Sequence, residues 1–422
     1  MAPRHSLKMI VTNEFTKDPR VCRSAITAED AGYDVSVHCI VDNFKREYEV
    51  ISKIKVYRYL NTIFPGILYR ISSKFIKAMS ARGMQGNNTN SEVGLRGKRI
   101  PIFFNRLLKF ILESGIFFQL LILNYKIFVL CKKDKADIYH VHDLDTLLSG
   151  YLLARHHSSY LIYDSHELYV EQLPEAYPIL RKYLFIYEKF LIKKTDVVIT
   201  INQSIADQLS GRYHINPPEI IMNCPFYQKS GNPEKPNPIV RIIYQGIFAP
   251  GRGLEETIVA AKCFENAELY LRGYGILENK LKTLVCKHAL EEKVIFLPPV
   301  EMNSLIQSLD TFDIGIISYK STVLNNFLAL PNKIFEYMMG NCAIAACDIP
   351  EIQKVINTCQ NGVLFNPDDP ENICIKINSL TKNPDLLGEM KKNSMIWAKN
   401  YYNWEIQGKN LVKIYNGLSG RE

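Results

Sequence analysis

Apolar and polar positions fall into two successive series of the same kind. In each, short apolar runs are followed by stretches with helical spacing, which is the grammar of βαβ units. In the first series LKMIVTN (7–13), DVSVHCIV (34–41), IKVYRYL (54–60), DIYHVHD (137–143), YLIYDSHE (160–167) and DVVITIN (196–202) predict strands. A helix is expected from Pro19 to about Gly32. In the second series the strands are IVRIIYQG (239–246), AELYLRGYG (267–275), KVIFLPP (293–299), IGIISY (314–319) and CAIAACD (342–348). The segment 393–418 reads as one or two amphipathic helices. Residues 81–99 read as a polar, Gly-rich loop. CPFYQKSGNPEKPNP, from Cys224 to Pro238, reads as a Pro/Lys-rich linker between two doubly wound α/β domains. Ligands of such sheets bind outside the carboxyl ends of the strands, so polar residues there are the candidates.

Composition narrows the class. The chain has 422 residues, 47% hydrophobic and 22% charged, which excludes disorder and collagen-like repeats. The N-terminus lacks the apolar stretch of a signal peptide. The ten cysteines form no CxxC pair and are read as reduced, mostly buried thiols of a cytosolic protein, with no metal site. Net charge is +8, but residues 44–133 carry 17 Lys/Arg against 4 Asp/Glu. The uncharged apolar run Ser114–Tyr125 within this region has 12 residues, short of the ~20 that a spanning helix needs. Two readings compete: contact with an anionic lipid surface, or a solvated face around a core helix. Nucleic acid is disfavoured, because no stacking motif or zinc module accompanies the charge.

Three constellations carry candidate chemistry. His140, His142 and Asp143 end one strand, and Asp164, Ser165, His166 and Glu167 end the next. Imidazoles and carboxylates at neighbouring strand ends suit holding sugar hydroxyls or moving a proton; alternatively Asp164 or Ser165 simply caps the following helix. Next, Gly246 is followed by IFAPGRGLEETI, a Gly-bearing turn in which Gly251 precedes the cation Arg252. A second such turn contains Gly273. Finally, Pro331, Asn332 and Lys333 open a helix with Glu336 one turn in, placed to accept from a ribose diol or to interact with the helix end.

The order of these motifs resembles glycosyltransferase family 4, from about residue 9 to 415. The pieces are Asp18-Pro19-Arg20-Val21, HVHDLD, YDSHEL, YQG…GRGLEE and LPNKIFEYMMGNCAIAACDIPEI. Within the family the chain looks most like bacterial enzymes of O-antigen, capsule or exopolysaccharide assembly. The resemblance implies the GT-B fold: two facing Rossmann-like domains, with a C-terminal helix crossing back to the first. The expected boundaries are 1–223 with 400–422 for the acceptor domain, 224–240 for the linker, and 241–399 for the donor domain. It implies that His166 contacts the donor sugar, that Arg252 grips the diphosphate, and that Glu336 binds the ribose. Catalytic roles are thus expected for His166, Arg252 and Glu336. Gly246, Gly251, Gly273 and the backbone around Leu330–Lys333, including Pro331 and Asn332, would meet the donor. The segment Phe296–Val300, with Pro298, would hold the base. Asp18, Arg20, His142 and Asp143 would line the acceptor side.

Three departures stand out. The first glutamate of the family's E-x7-E motif falls at Leu328, whose contact Asn325 or Asn326 would have to supply. The usual Gly-Arg at the first phosphate turn is Gly246-Ile247. The usual Gly-rich first loop is Asn13-Glu14-Phe15-Thr16. The expectation is a retaining hexosyltransferase using a UDP- or GDP-sugar, with no cofactor or metal. Its acceptor would be a glycan or a polyprenyl-diphosphate-linked oligosaccharide, and the enzyme would be cytoplasmic, peripheral on the inner face of the plasma membrane. A nucleotide-sugar 2-epimerase and a non-catalytic relative are the alternatives.

Overall fold

The computed structural model describes residues 5–43, 46–61, 102–229, 238–321 and 323–420. The loop expected at 81–99, and the central part of the expected linker, lie outside them. So does much of the basic region 44–133.

The first sheet comprises β1 Ser6–Val11, β2 Asp34–Val41, β3 Tyr48–Ile51, β4 Ile54–Leu60, β5 Ile138–His142, β6 Tyr160–Ser165, β7 Val197–Thr200 and the short β8 Glu219–Ile220. Their order is β3-β4-β2-β1-β5-β6-β7-β8. The pairs β1–β2, β1–β5, β2–β4 and β5–β6 are parallel, while β3 runs antiparallel to β4. Leu7, Met9, Val37, Ile138, Val141, Ile162 and Tyr163 are fully buried, as expected of strands covered on both faces.

The second sheet comprises β9 Val240–Ile247, β10 Ala267–Tyr274, β11 Val294–Leu297, β12 Ile314–Ile317, β13 Ala343–Cys347 and β14 Gly362–Phe365. Its order is β11-β10-β9-β12-β13-β14, with every pairing parallel. Strand order reverses between β9 and β12, and this switch point is where an open sheet leaves a crevice.

By contacts the chain divides into two units: residues 1–199, 213–215 and 415–422, and residues 200–212 and 216–414. The helix Gln203–Tyr213 therefore belongs mostly to the second unit. There Ser204 N–H reaches Glu351 Oε1 at 3.2 Å, and Asn202 Nδ2 donates to the Leu328 carbonyl at 2.9 Å. The C-terminal pattern forms two helices, Pro384–Asn400 and Trp404–Ser419. The last begins in the second unit, where Trp404 N–H donates to the Pro225 carbonyl at 2.8 Å. It ends in the first, where the Tyr415 hydroxyl meets His140 Nδ1 at 2.8 Å and Asn416 accepts from Tyr33 at 2.9 Å.

Two expectations need correction. The apolar run at 114–125 belongs to one 30-residue helix, Ile102–Cys131. Its stretch Arg106–Cys131 is long and apolar enough to cross a membrane by length and composition. Glu113, the charge that ends the run on its N-terminal side, explains the difference because it points inward and accepts from Ile179 and Leu180 N–H at 2.8 Å; within the run, buried Asn124 donates to the Asp145 carbonyl at 2.9 Å. The cysteines are not all free thiols either. Cys263 and Cys374, 111 residues apart in sequence, are joined by a disulfide, because the helices Leu254–Ala260 and Pro370–Thr381 pack side by side.

Candidate functional site

Each unit holds its own cluster at the carboxyl ends of its strands. In the first unit the cluster is built on Asp164, at the end of β6. Arg20, from the helix Pro19–Asp30, donates from Nε and Nη2 to the two carboxylate oxygens at 2.8 and 2.7 Å. Both side chains are 2% exposed. Burial alone would raise the Asp164 carboxyl, but Arg20, then His166, hold it well below the ordinary range.

Three imidazoles surround this carboxylate. His140 Nε2, His142 Nδ1 and His166 Nε2 each lie 3.5 Å from Asp164 Oδ2. Burial and the His142 charge push His140 down to about 4. Burial lowers His142 as well. His166 goes the other way: burial opposes its charge, but Asp143 and Asp164 outweigh it and raise the ring to about 9. His166 is thus an imidazolium at neutral pH, and its side chain is 18% exposed.

Asp143 positions that ring. Its Oδ2 lies 3.3 Å from His166 Nδ1, and its Oδ1 accepts from His166 N–H at 3.2 Å. Its backbone has φ 62°, ψ 167°, a conformation costly for any residue with a side chain. Asp18 caps the first helix, accepting from Arg20 and Val21 N–H at 3.0 and 3.2 Å, and takes a third bond from Asn13 Nδ2 at 2.8 Å. Burial opposes its ionisation, but His166 and Asn13 lower it overall.

The residues expected on the acceptor side therefore separate. Asp18 and Asp143 are partly exposed, whereas Arg20 and His142 are buried, Arg20 against Asp164 and His142 against Asp164 and His166. A cavity of about 260 Å³ opens beside Thr12, Asn13 and Lys17. The unusual first loop forms a short 3-10 turn there, with Phe15 fully buried and Glu14 accepting from Arg58 at 2.8 Å.

Sequence reasoning passed over Asp145, which accepts from the Thr12 hydroxyl. Burial and the Asp143 charge raise its carboxyl to about 7. The HDLD spacing was the available signal. His140, His142 and Asp164 also have the proximity of a metal-binding set. The guanidinium of Arg20 already fills both Asp164 oxygens, so positive charge is supplied there by the chain itself.

In the second unit the cluster lies at β9 and β12. The turn after β9 is pinned to the end of β12: Ser318 Oγ donates to the Arg252 carbonyl at 2.8 Å, and Lys320 N–H to the Gly251 carbonyl at 2.9 Å. Gly273, on β10, faces the Gly246 carbonyl so closely that a Cβ would lie 1.9 Å from it. Arg252 Cζ lies 4.2 Å from the Tyr319 ring centroid, and Lys333 Nζ lies 4.0 Å from that of Tyr244 and 5.3 Å from that of Tyr319. Among the described residues neither cation is within ion-pair distance of a carboxylate. Glu336 accepts from Gln245 Nε2 at 2.9 Å, and Gln245 N–H donates to the Tyr337 hydroxyl at 3.0 Å. Tyr244 and Gln245 stand in the YQG motif without a role assigned from the sequence, and Tyr319, an aromatic residue just beyond β12, reads as core.

Pro331 and Asn332 precede the helix Lys333–Met339, which has only seven residues. Its dipole is correspondingly small, so the side-chain cations dominate the local field. Pro298 is exposed after β11. Leu328 is buried at 7% exposure and offers its surroundings only a backbone carbonyl. Asn325 is buried and Asn326 partly so.

Two family models match the chain: Glycosyltransferase Family 4 over residues 80–224, and Glycosyl transferases group 1 over residues 242–383. An uncharacterized glycosyltransferase of Methanocaldococcus jannaschii is 21% identical over 305 residues, covering 67% of this chain and 75% of the relative. Among solved structures, sucrose-phosphate synthase from Thermosynechococcus elongatus superposes with TM-score 0.68 at 15% identity, over 99% of this chain and 100% of that one. Anabaena HepE, solved in complex with UDP and glucose, gives TM-score 0.67 at 11% identity, over 98% and 100%. The architecture is therefore GT-B. The chain belongs to the family-4-type glycosyltransferases and is a transferase enzyme.

Proposed function

We propose that the protein moves a hexosyl unit from a UDP- or GDP-sugar to a glycan or a polyprenyl-diphosphate-linked oligosaccharide, with retention of anomeric configuration, in the assembly of a bacterial surface polysaccharide. The observation that carries the donor reading is the pair Arg252 and Lys333, two basic side chains without a carboxylate partner among the described residues, beside Glu336. A diphosphate supplies the charge such a pair lacks. A carboxylate one helical turn away suits the ribose hydroxyls. The UDP bound in HepE is in keeping with this choice.

Departure of the diphosphate builds negative charge on the leaving oxygen, and fixed cations stabilise it most where water is scarce. We assign that work to Arg252 and Lys333, with no resident metal or cofactor. The carboxylates nearest His166 are already engaged, Asp164 by Arg20 and Asp143 by His166 itself. A same-face substitution through an oxocarbenium-like state suits these residues better than a carboxylate nucleophile. His166, as an imidazolium with Nδ1 facing Asp143 and Nε2 facing Asp164 and His142, supplies positive charge near the sugar, while Asp18 and Asp143 serve the acceptor.

The exposed face of the Ile102–Cys131 helix supports a lipid-linked acceptor. Phe110, Ile111, Phe118 and Tyr125 are between 47% and 63% exposed. Beside it, the Pro178–Leu191 helix exposes Ile186 and Phe190 among Lys182 and Lys189. Apolar side chains flanked by lysines suit an anionic lipid surface. Because Glu113 and Asn124 tie the other face of the long helix to the fold, it is assigned to lie on a membrane. We place the enzyme in the cytoplasm, peripheral on the inner leaflet.

A second reading, a non-catalytic relative, draws on the burial of Leu328 where the family has a sugar-binding glutamate. A thermal-shift screen against UDP-, GDP- and ADP-sugars tests the donor site, because a ligand that binds only the native state raises the melting temperature. A shift with one nucleotide is expected. No shift with any would favour the non-catalytic reading.

A further inference from the structure

We infer that Lys333 is the second cation of the donor site, replacing the one absent at Ile247, and that its amine takes up a proton as the donor's diphosphate binds. The inference rests on the donor-site reading above.

The geometry places the amine against Gly246, the residue before Ile247 on β9. Lys333 is the first residue of its helix, yet its side chain reaches back across β9 to Gly246. A Cβ at Gly246 would lie 2.8 Å from Lys333 Nζ, so only the absence of a side chain there leaves room. Ile247, the next residue, is 54% exposed and uncharged.

Burial and the like charge of Arg252 oppose an ammonium in the empty site, while the faces of the Tyr244 and Tyr319 rings favour one. From β9, Lys333 faces the Tyr244 ring and the neutral amide of Gln245. From the following turn it faces Arg252, a like charge. Beyond β12 it faces Tyr319. From β13 it faces Cys347, whose thiol burial raises to about 12 and so keeps neutral. Its own helix offers Tyr337 and Glu336, and Glu336 is already bonded to Gln245. Burial, then Arg252, lower the Lys333 amine to about 7, with Glu336 opposing. A diphosphate beside Arg252 reverses the field at Nζ. The amine then takes a proton from the buffer acid, forming one N–H bond and leaving the conjugate base in solution.

The test is isothermal titration calorimetry at pH 8 with the nucleotide sugar chosen by the thermal-shift screen, in three buffers of different ionisation enthalpy. A nucleotide sugar has no phosphate group titrating near neutrality, so uptake reports the protein. Wild type should take up a measurable fraction of a proton, at most one, per donor, because burial and Arg252 lower the amine in the empty site. Lys333→Arg, permanently charged, should bind with no uptake. Lys333→Met should bind more weakly and also without uptake. Binding by wild type with no uptake, or undiminished uptake in both variants, would overturn the inference. Absence of binding to every nucleotide sugar would instead overturn the donor site itself.

Discussion

Arg20 and Asp164 lie 144 residues apart in sequence and meet through two parallel hydrogen bonds of 2.8 and 2.7 Å, with both side chains 2% exposed. The pair links the first helix to the end of β6 and so fixes the carboxylate around which three histidines gather. Removing one partner strands a buried charge. Arg20→Met should destabilise the first unit by about 3–5 kcal/mol, read as a lower urea midpoint. Asp164 is depressed, so the pair's contribution is in place above the ordinary carboxylate pKa of ~3.9 and is lost only as pH falls through the lower folded value. The difference between wild type and variant should therefore be constant from pH 5 to 7. A loss under about 1 kcal/mol would put the pair in the class of solvent-exposed bridges.

His166 should titrate far from an ordinary histidine. Its folded value is raised to about 9, so its contribution to stability is complete below the unfolded value of ~6.5 and is lost as pH rises through about 9. An NMR titration of the ring should show a midpoint near 9 in wild type, moved clearly downward in Asp143→Asn. His166→Ala should fold and lose turnover. If it unfolds, the histidine serves packing rather than chemistry.

Glu336 holds Gln245 in the empty site and is assigned to the ribose when donor binds. Replacing it by alanine removes a charged hydrogen bond, worth about 1.5–3 kcal/mol. Donor affinity should fall roughly ten- to a hundred-fold, with a melting temperature near that of wild type. Unchanged donor kinetics would refute the ribose role.

The lysine-flanked apolar face gives a separate test. Reversing the charges of Arg106 and Lys109 together with Lys182 and Lys189 should abolish sedimentation with vesicles containing anionic phospholipid. Donor binding should be unaffected, because none of these residues is among those assigned to the donor. Equal sedimentation of wild type and variant would reject the membrane assignment.

Much of this arrangement was legible in the chain. Buried strands announce themselves as apolar runs, and the polar residues after them, His140 to Asp143 and Asp164 to His166, stand where a parallel sheet leaves its ligand edge. What was not legible depends on distance in sequence. Nothing local tells that Arg20 answers Asp164, or that Lys333 reaches Gly246. The long helix was hidden because the charges of Glu113 and Lys126 bound its uncharged run, although Glu113 points inward and accepts from Ile179 and Leu180 N–H. The Cys263–Cys374 bond depends on two helices packing together, which spacing alone does not reveal.

The most direct test of the central claim is release of nucleoside diphosphate from UDP-, GDP- and ADP-hexoses by purified wild type, Arg252→Leu and Glu336→Ala. One nucleotide should be released by wild type, slowly without acceptor and faster with a polyprenyl-diphosphate-linked oligosaccharide, and both variants should be impaired. No release from any donor, or an isomerised donor in place of free diphosphate, would contradict it.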